Sequence, residues 1–201
     1  MQTLTMRSES AYTLNYLIYI QNMYLNQRDA ARGERHKFPY LPNLKLPFAD
    51  DFEAGFANIW AEASASIAEH PFNDLKLFAA HRERIFEPLF VHSEGAWEPY
   101  ECFYQSFLAW WDSYAGRLAL ERTFDAWRVY TVLSAIVQAA GGVPLKGFEI
   151  SIVYDACVLG SEDKRSYFAV MPLADCLVNS LKLEQRLMNL FDWLNGSTEA
   201  D

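Results

Sequence analysis

The sequence predicts a mainly α fold: a single-domain multi-helix bundle of about six helices over 1–201, with one β-hairpin inserted before the last helix. Three observations carry this reading. Trp97, Tyr100, Tyr104, Phe107, Trp111 and Tyr114 follow one another at steps of three and four residues, which is the period of one helix face. Other apolar stripes of the same period stand between breaks rich in Pro and Gly. After Pro144 the apolar period drops from 3.6 to 2, the signature of a strand.

The first helix is expected to start after Ser8 or Ser10 and run to about Ala31. Leu14, Leu17, Ile18, Met23 and Leu25 supply its apolar surface, with Tyr12, Tyr16, Tyr19 and Tyr24 around them. Tyrosine buries a ring and keeps its hydroxyl at the edge, so this helix suits a place across the body or a homodimer contact. Residues 33–49 form a Pro-rich connection, because Pro39, Pro42 and Pro47 exclude regular helix. Phe38, Tyr40, Leu41, Leu44 and Leu46 pin it to the body.

Asp50 or Asp51 caps a second helix, whose inward face is Phe52, Phe56, Ile59, Trp60, Ala63 and Ile67, and Pro71 ends it. Asn73 caps a third, with Leu75, Phe78, Ile85, Phe86 and Leu89 inward. Pro99 fits the first turn of the aromatic helix, which Phe103 and Trp110 widen and which runs to about Ala115. Gly116 separates it from a fifth helix, Leu118 to Ala140, closed by Gly141-Gly142.

Residues 147–171 read as the β-hairpin. Phe148, Ile150, Ile152, Tyr154 and Ala156 alternate with Glu149, Ser151, Val153, Asp155 and Cys157. Gly160 to Lys164 reads as the turn and Ser166 to Met171 as the returning strand. A lone hairpin is marginal in water, so it packs on the helices or pairs with a further strand, from this chain or another. Pro172 opens the last helix, striped by Leu173, Leu177, Leu181, Leu187, Leu190, Phe191 and Leu194, and residues 196–201 form a frayed tail.

Composition narrows the function classes. A chain of 201 residues with 51% hydrophobic and 15% aromatic content can bury a sizeable core. A net charge of -9 repels nucleic-acid phosphates and anionic membranes, and it speeds encounter with a basic protein. No basic run followed by an apolar core suggests a signal peptide. The apolar stretch from Tyr12 to Leu25 is interrupted by Asn15, Gln21 and Asn22 and is too short to span a bilayer. Cytoplasm is therefore the expected location. Cys102, Cys157 and Cys176 are odd in number and widely spaced, which reads as reduced thiols.

No pattern for catalysis, metal or cofactor stands out. His70, His81 and His92 are eleven residues apart, roughly 16 Å of helical rise and too far for a shared metal shell. With His36 they form no His-x-x-x-His or Glu-x-x-His pair. Asp155 followed by Glu162-Asp163-Lys164 has the residue types of a divalent-ion site for phosphodiester cleavage. Glu162 to Lys164 falls in the expected turn, however, and reads as a solvated charged loop. Gly-x-Ser-x-Gly and phosphate-binding glycine patterns are missing. Arg82 stands on an apolar stripe between Phe78 and Ile85 and implies an ion-pair partner.

The functional expectation is a cytosolic protein-binding or inhibitory protein rather than an enzyme. In its most concrete form it is an immunity protein that neutralises a basic toxin by occluding the toxin's active site. The expected contact residues are Glu94, Trp97, Glu98, Glu101, Asp155, Glu162 and Asp163, carboxylates around an aromatic anchor. The rest of the aromatic stripe reads as the central post of the bundle. The alternative is a small-ligand-binding helical protein or enzyme with a pocket between helices, using the tyrosines, Arg82 and His81.

Overall fold

The computed structural model describes residues 4–29, 36–69, 74, 88–91, 95, 97–141, 146–160, 167–177 and 180–190. Among these are seven helices and three strands, so the chain is mainly α. Its contacts gather into two compact units, one of Tyr12–Leu118 with Cys157–Ser161, the other of Met1–Ala11, Ala119–Ala156 and Glu162–Asp201.

The first unit is built on three helices: α1 (Tyr12–Arg28), α2 (Phe52–Glu69) and α3 (Trp97–Trp111). A helix begins with backbone amides that have no partner inside it. At the start of α1, Asp74 fills that role from outside the helix: its carboxylate accepts from the amides of Tyr12 and Thr13. Every residue of α1 from Tyr12 to Met23 is buried, including Asn15, Gln21 and Asn22. Tyr12, Tyr16 and Tyr19 share a face at i, i+4 and i+7 and meet the aromatic stripe of α3. Tyr12 lies 5.2 Å from Phe107, Tyr16 4.8 Å from Phe107 and Tyr19 5.0 Å from Phe103, centroid to centroid. Pairs of this kind add about 0.5–1.5 kcal/mol each beyond the area they bury. Two of the hydroxyls are satisfied locally, Tyr12 by Tyr104 and Tyr19 by Ser106, each at 3.1 Å.

On α2, Phe52, Phe56 and Trp60 stack in succession, and Tyr24 lies on Phe52 at 4.1 Å. The segments around Phe48 and Phe90 pair antiparallel, and the Phe90 ring packs on buried Tyr100. Gly55 of α2 lies so close to the Pro88 carbonyl that a Cβ would sit 2.7 Å from it.

One expectation changes here and another narrows. The aromatic helix ends at Trp111, not near Ala115, because the chain turns back until Gly116 lies on the carbonyls of Trp110 and Trp111. Tyr114 therefore leaves the stripe and is 83% exposed, while Tyr100, Phe103, Phe107 and Trp111 are buried. The tyrosine face of α1, for which the sequence left open a place across the body or a homodimer contact, packs on α3 inside the unit.

The second unit holds strands β1 (Met6–Ser10), β2 (Phe148–Val153) and β3 (Phe168–Pro172) in the order β1-β2-β3, every pair parallel. Met6 faces Phe148 and Ser10 faces Ile152; Glu149 faces Phe168 and Val153 faces Pro172. The expected β-hairpin over 147–171 is thus corrected: β2 and β3 run the same way. Alternation of side chains reports which face is buried and is silent about strand direction. Residues 154–167 are long enough for the crossover that parallel strands need. The further strand that a marginal pair requires is β1, whose sequence Met-Arg-Ser-Glu-Ser carries no apolar alternation.

The helices of this unit also divide differently. The expected helix Leu118 to Ala140 is two, α4 (Arg117–Thr123) and α5 (Ala126–Ala139). Asp125 accepts from the Arg128 amide at 2.9 Å and starts α5 afresh. Gly141, at φ +64°, ends it in a conformation glycine adopts without strain. Pro172 closes β3 instead of opening a helix, and α6 (Leu173–Leu177) and α7 (Ser180–Asn189) follow within the span of the expected last helix, residues 178 and 179 lying outside the described residues. Phe148, Ile150, Ile152, Ala169 and Met171 of the sheet pack against Val129, Leu133 and Val137 of α5 and Leu183 and Leu187 of α7. Ser151 and Val153 are buried too, so β2 is covered on both faces, as parallel strands generally are. Arg128 donates to the carbonyls of Cys176 and Leu177, and Arg186 pairs with Asp175 at 2.8 Å.

Several expected features lie outside the described residues: the Asn73 cap, most of the third helix with Arg82, His70, His81 and His92, the Glu162 to Lys164 turn, and the 196–201 tail.

Candidate functional site

The expected contact residues are distributed over both units. Trp97, Glu98 and Glu101 lie in the first turns of α3, where negative charge complements the helix dipole. Trp97 is 44% exposed and its ring leans on Tyr100 at 5.2 Å; Tyr100 itself is fully buried. The indole is thus seated on the core while much of its surface faces outward. Glu98 is exposed, and Glu101 accepts a hydrogen bond from Gln105 one turn on, at 2.9 Å. Asp155 belongs to the other unit, just after β2, where its carboxylate accepts from the next backbone amide, Ala156, at 2.8 Å. Glu94, Glu162 and Asp163 lie outside the described residues.

A second arrangement had no forecast. The connection after α1 is held by amide side chains of the helix itself. Asn26 donates to the carbonyls of Lys37 and Pro39 and accepts from the Lys37 amide, at 2.7, 2.8 and 2.8 Å. Gln27 bonds Leu46 in both directions, and Asn22 donates to the Phe38 carbonyl. These side chains pair with the strap much as a neighbouring strand would. Gln21 accepts from the amides of Val158 and Leu159, holding the 157–160 loop in the same manner. Gly160 sits in that loop with no room for a Cβ beside the Trp60 ring, which would stand at 2.5 Å. The signal in the sequence is the pair of amide doublets at 21–22 and 26–27 in the second half of the helix, since buried amides demand partners.

Between α1 and this strap lies a depression of about 230 Å³, lined by Met23, Asn26, Gln27, His36, Tyr40, Leu41, Pro42, Leu44 and Lys45. A second, of about 210 Å³, shares Asn26 and His36 with it and reaches Arg28, Asp29, Lys37 and Val158. The imidazole of His36 stacks on the Tyr40 ring at 4.2 Å and 22°.

The thiols separate by environment. Burial pushes Cys157 up to about 11, and burial followed by the neighbouring Asp175 carboxylate pushes Cys176 up to about 12. Both are held as neutral thiols at neutral pH, unsuited to nucleophilic work. Cys102 is exposed on α3. Among the described residues no group of three His, Cys, Asp or Glu is placed to hold a metal ion, and no helix is long and apolar enough to cross a membrane. No protein-family model, curated protein or solved structure matches the chain.

Proposed function

We propose that the protein acts by binding a basic protein partner, with the start of α3 as its contact edge. In its most concrete form it is an immunity protein whose partner is a basic toxin. The observation that carries this reading is Trp97, seated on buried Tyr100 yet 44% exposed, with Glu98 and Glu101 beside it. A rigid aromatic anchor rimmed by charge is the arrangement that concentrates binding energy at protein interfaces. The net charge of -9 supports fast encounter with a partner of opposite sign.

The test is affinity capture with the intact chain and with a Trp97→Ala, Glu98→Lys, Glu101→Lys variant. A basic protein should be recovered in stoichiometric amount by the parent chain and lost by the variant at unchanged melting temperature. Charge reversal at Glu94, Asp155, Glu162 and Asp163 should weaken the same complex. Equal capture by parent and triple variant would sink the proposal, as would recovery of the chain alone.

A further inference from the structure

We propose that the depression between α1 and the 36–46 strap binds a small ring-bearing carboxylate. Three features of the site converge on that chemical class. The first is rigidity. Asn26 and Gln27, which form one wall, are fixed by five hydrogen bonds to the strap, at 2.7 to 3.1 Å. Their amide groups are committed to the backbone, so the wall is preformed and binding spends little on ordering it.

The second is shape and surface. Met23, Leu41, Pro42 and Leu44 give an apolar lining, and the stacked His36–Tyr40 pair stands at the edge with Tyr40 54% exposed. A third flat ring extends such a stack. At about 230 Å³ the space suits a molecule of one or two rings, below the usual range for larger ligands.

The third is charge. The chain as a whole carries 26 acidic against 17 basic residues. Among the described residues, the lining of this depression reverses that balance: Lys45 is charged and no Asp or Glu contributes. In the adjoining depression the one carboxylate among the described residues, Asp29, is engaged by Arg28 at 3.0 Å, and Lys37 adds a further cation. A local cationic spot with apolar walls attracts a small anion and rejects a cation of the same shape.

Isothermal titration of the intact chain with three probes tests this. Indole-3-acetate carries the ring and the carboxylate, indole the ring alone, and tryptamine the ring with a positive charge. Saturable binding of indole-3-acetate is expected, with indole and tryptamine each weaker by about tenfold or more. Lys45→Glu and Tyr40→Ala should each weaken indole-3-acetate by about tenfold. Both side chains are exposed, so both variants should melt where the parent does. Tryptamine binding as well as indole-3-acetate, an unchanged affinity in Lys45→Glu, or no saturable heat with any probe would overturn the proposal. The Trp97 variant keeps this site, so its capture result and the titration are independent.

Discussion

Asp74 caps a helix to which it does not belong. Its carboxylate takes the amides of Tyr12 and Thr13 across 62 and 61 positions of sequence, and burial raises its pKa above the ordinary carboxylate value while those amide bonds act to lower it. The geometry requires an acceptor at that point more than it requires a charge. Asp74→Ala should therefore cost about 1–3 kcal/mol, because buried amides lose their partner. Asp74→Asn should cost far less, since its amide oxygen accepts the same bonds. Urea denaturation of the two variants decides it; equal losses would show that the charge, and not the acceptor, does the holding. The sequence offers Asn73 as the cap of a helix just after it, and local pattern gives no sign that Asp74 serves a helix far upstream.

At the scale of elements, helices were legible and strand direction was not. The buried face of α2 (Phe52, Phe56, Trp60, Ala63, Ile67) follows the expected stripe, and that of α3 (Tyr100, Phe103, Phe107, Trp111) follows its middle, with Trp97 and Tyr114 exposed, because a helix closes its own hydrogen bonds and needs only one apolar face. A strand closes its bonds on a neighbour that the local sequence does not name. Met6–Ser10 looks like the run-up to a helix, yet it is the strand that pairs with Phe148–Val153. A direct check is the double variant Arg7→Cys, Glu149→Cys, at positions that face each other in the parallel register. Mild oxidation should join them in the folded monomer, read by non-reducing mass spectrometry. Arg7→Cys with Ile152→Cys, out of register, should not join. The strap after α1 follows the same logic: three prolines announce an irregular segment, but Asn22, Asn26 and Gln27 determine where it lies.

For the whole molecule, two thiols report on the two units separately. Cys157 belongs with the helical unit and Cys176 with the sheet unit. Burial raises Cys157 to about 11 and Cys176 to about 12 from an ordinary value of 9.0. A raised folded-state pKa means that the unfolded chain ionises first. The stability contribution is complete below pH 9.0 and is lost as pH climbs toward 11 and 12. Melting temperature should accordingly fall between pH 9 and 11, and Cys157→Ala should flatten the early part of that fall. At neutral pH a thiol-alkylating reagent should modify Cys102 well before the other two, as mass spectrometry of the native protein will show.

Mainly helical character, the inward faces of α2 and α3, the Pro-rich break and the strand character of 148–153 were all legible in local periodicity, because each depends on side chains only a few positions apart. The parallel direction of β2 and β3, the recruitment of Met6–Ser10 as a third strand and the cap from Asp74 arose from distant segments meeting. Backbone donors and acceptors are identical along the chain, so their pairing is settled by which segments burial brings together, and side-chain periodicity carries no record of that choice.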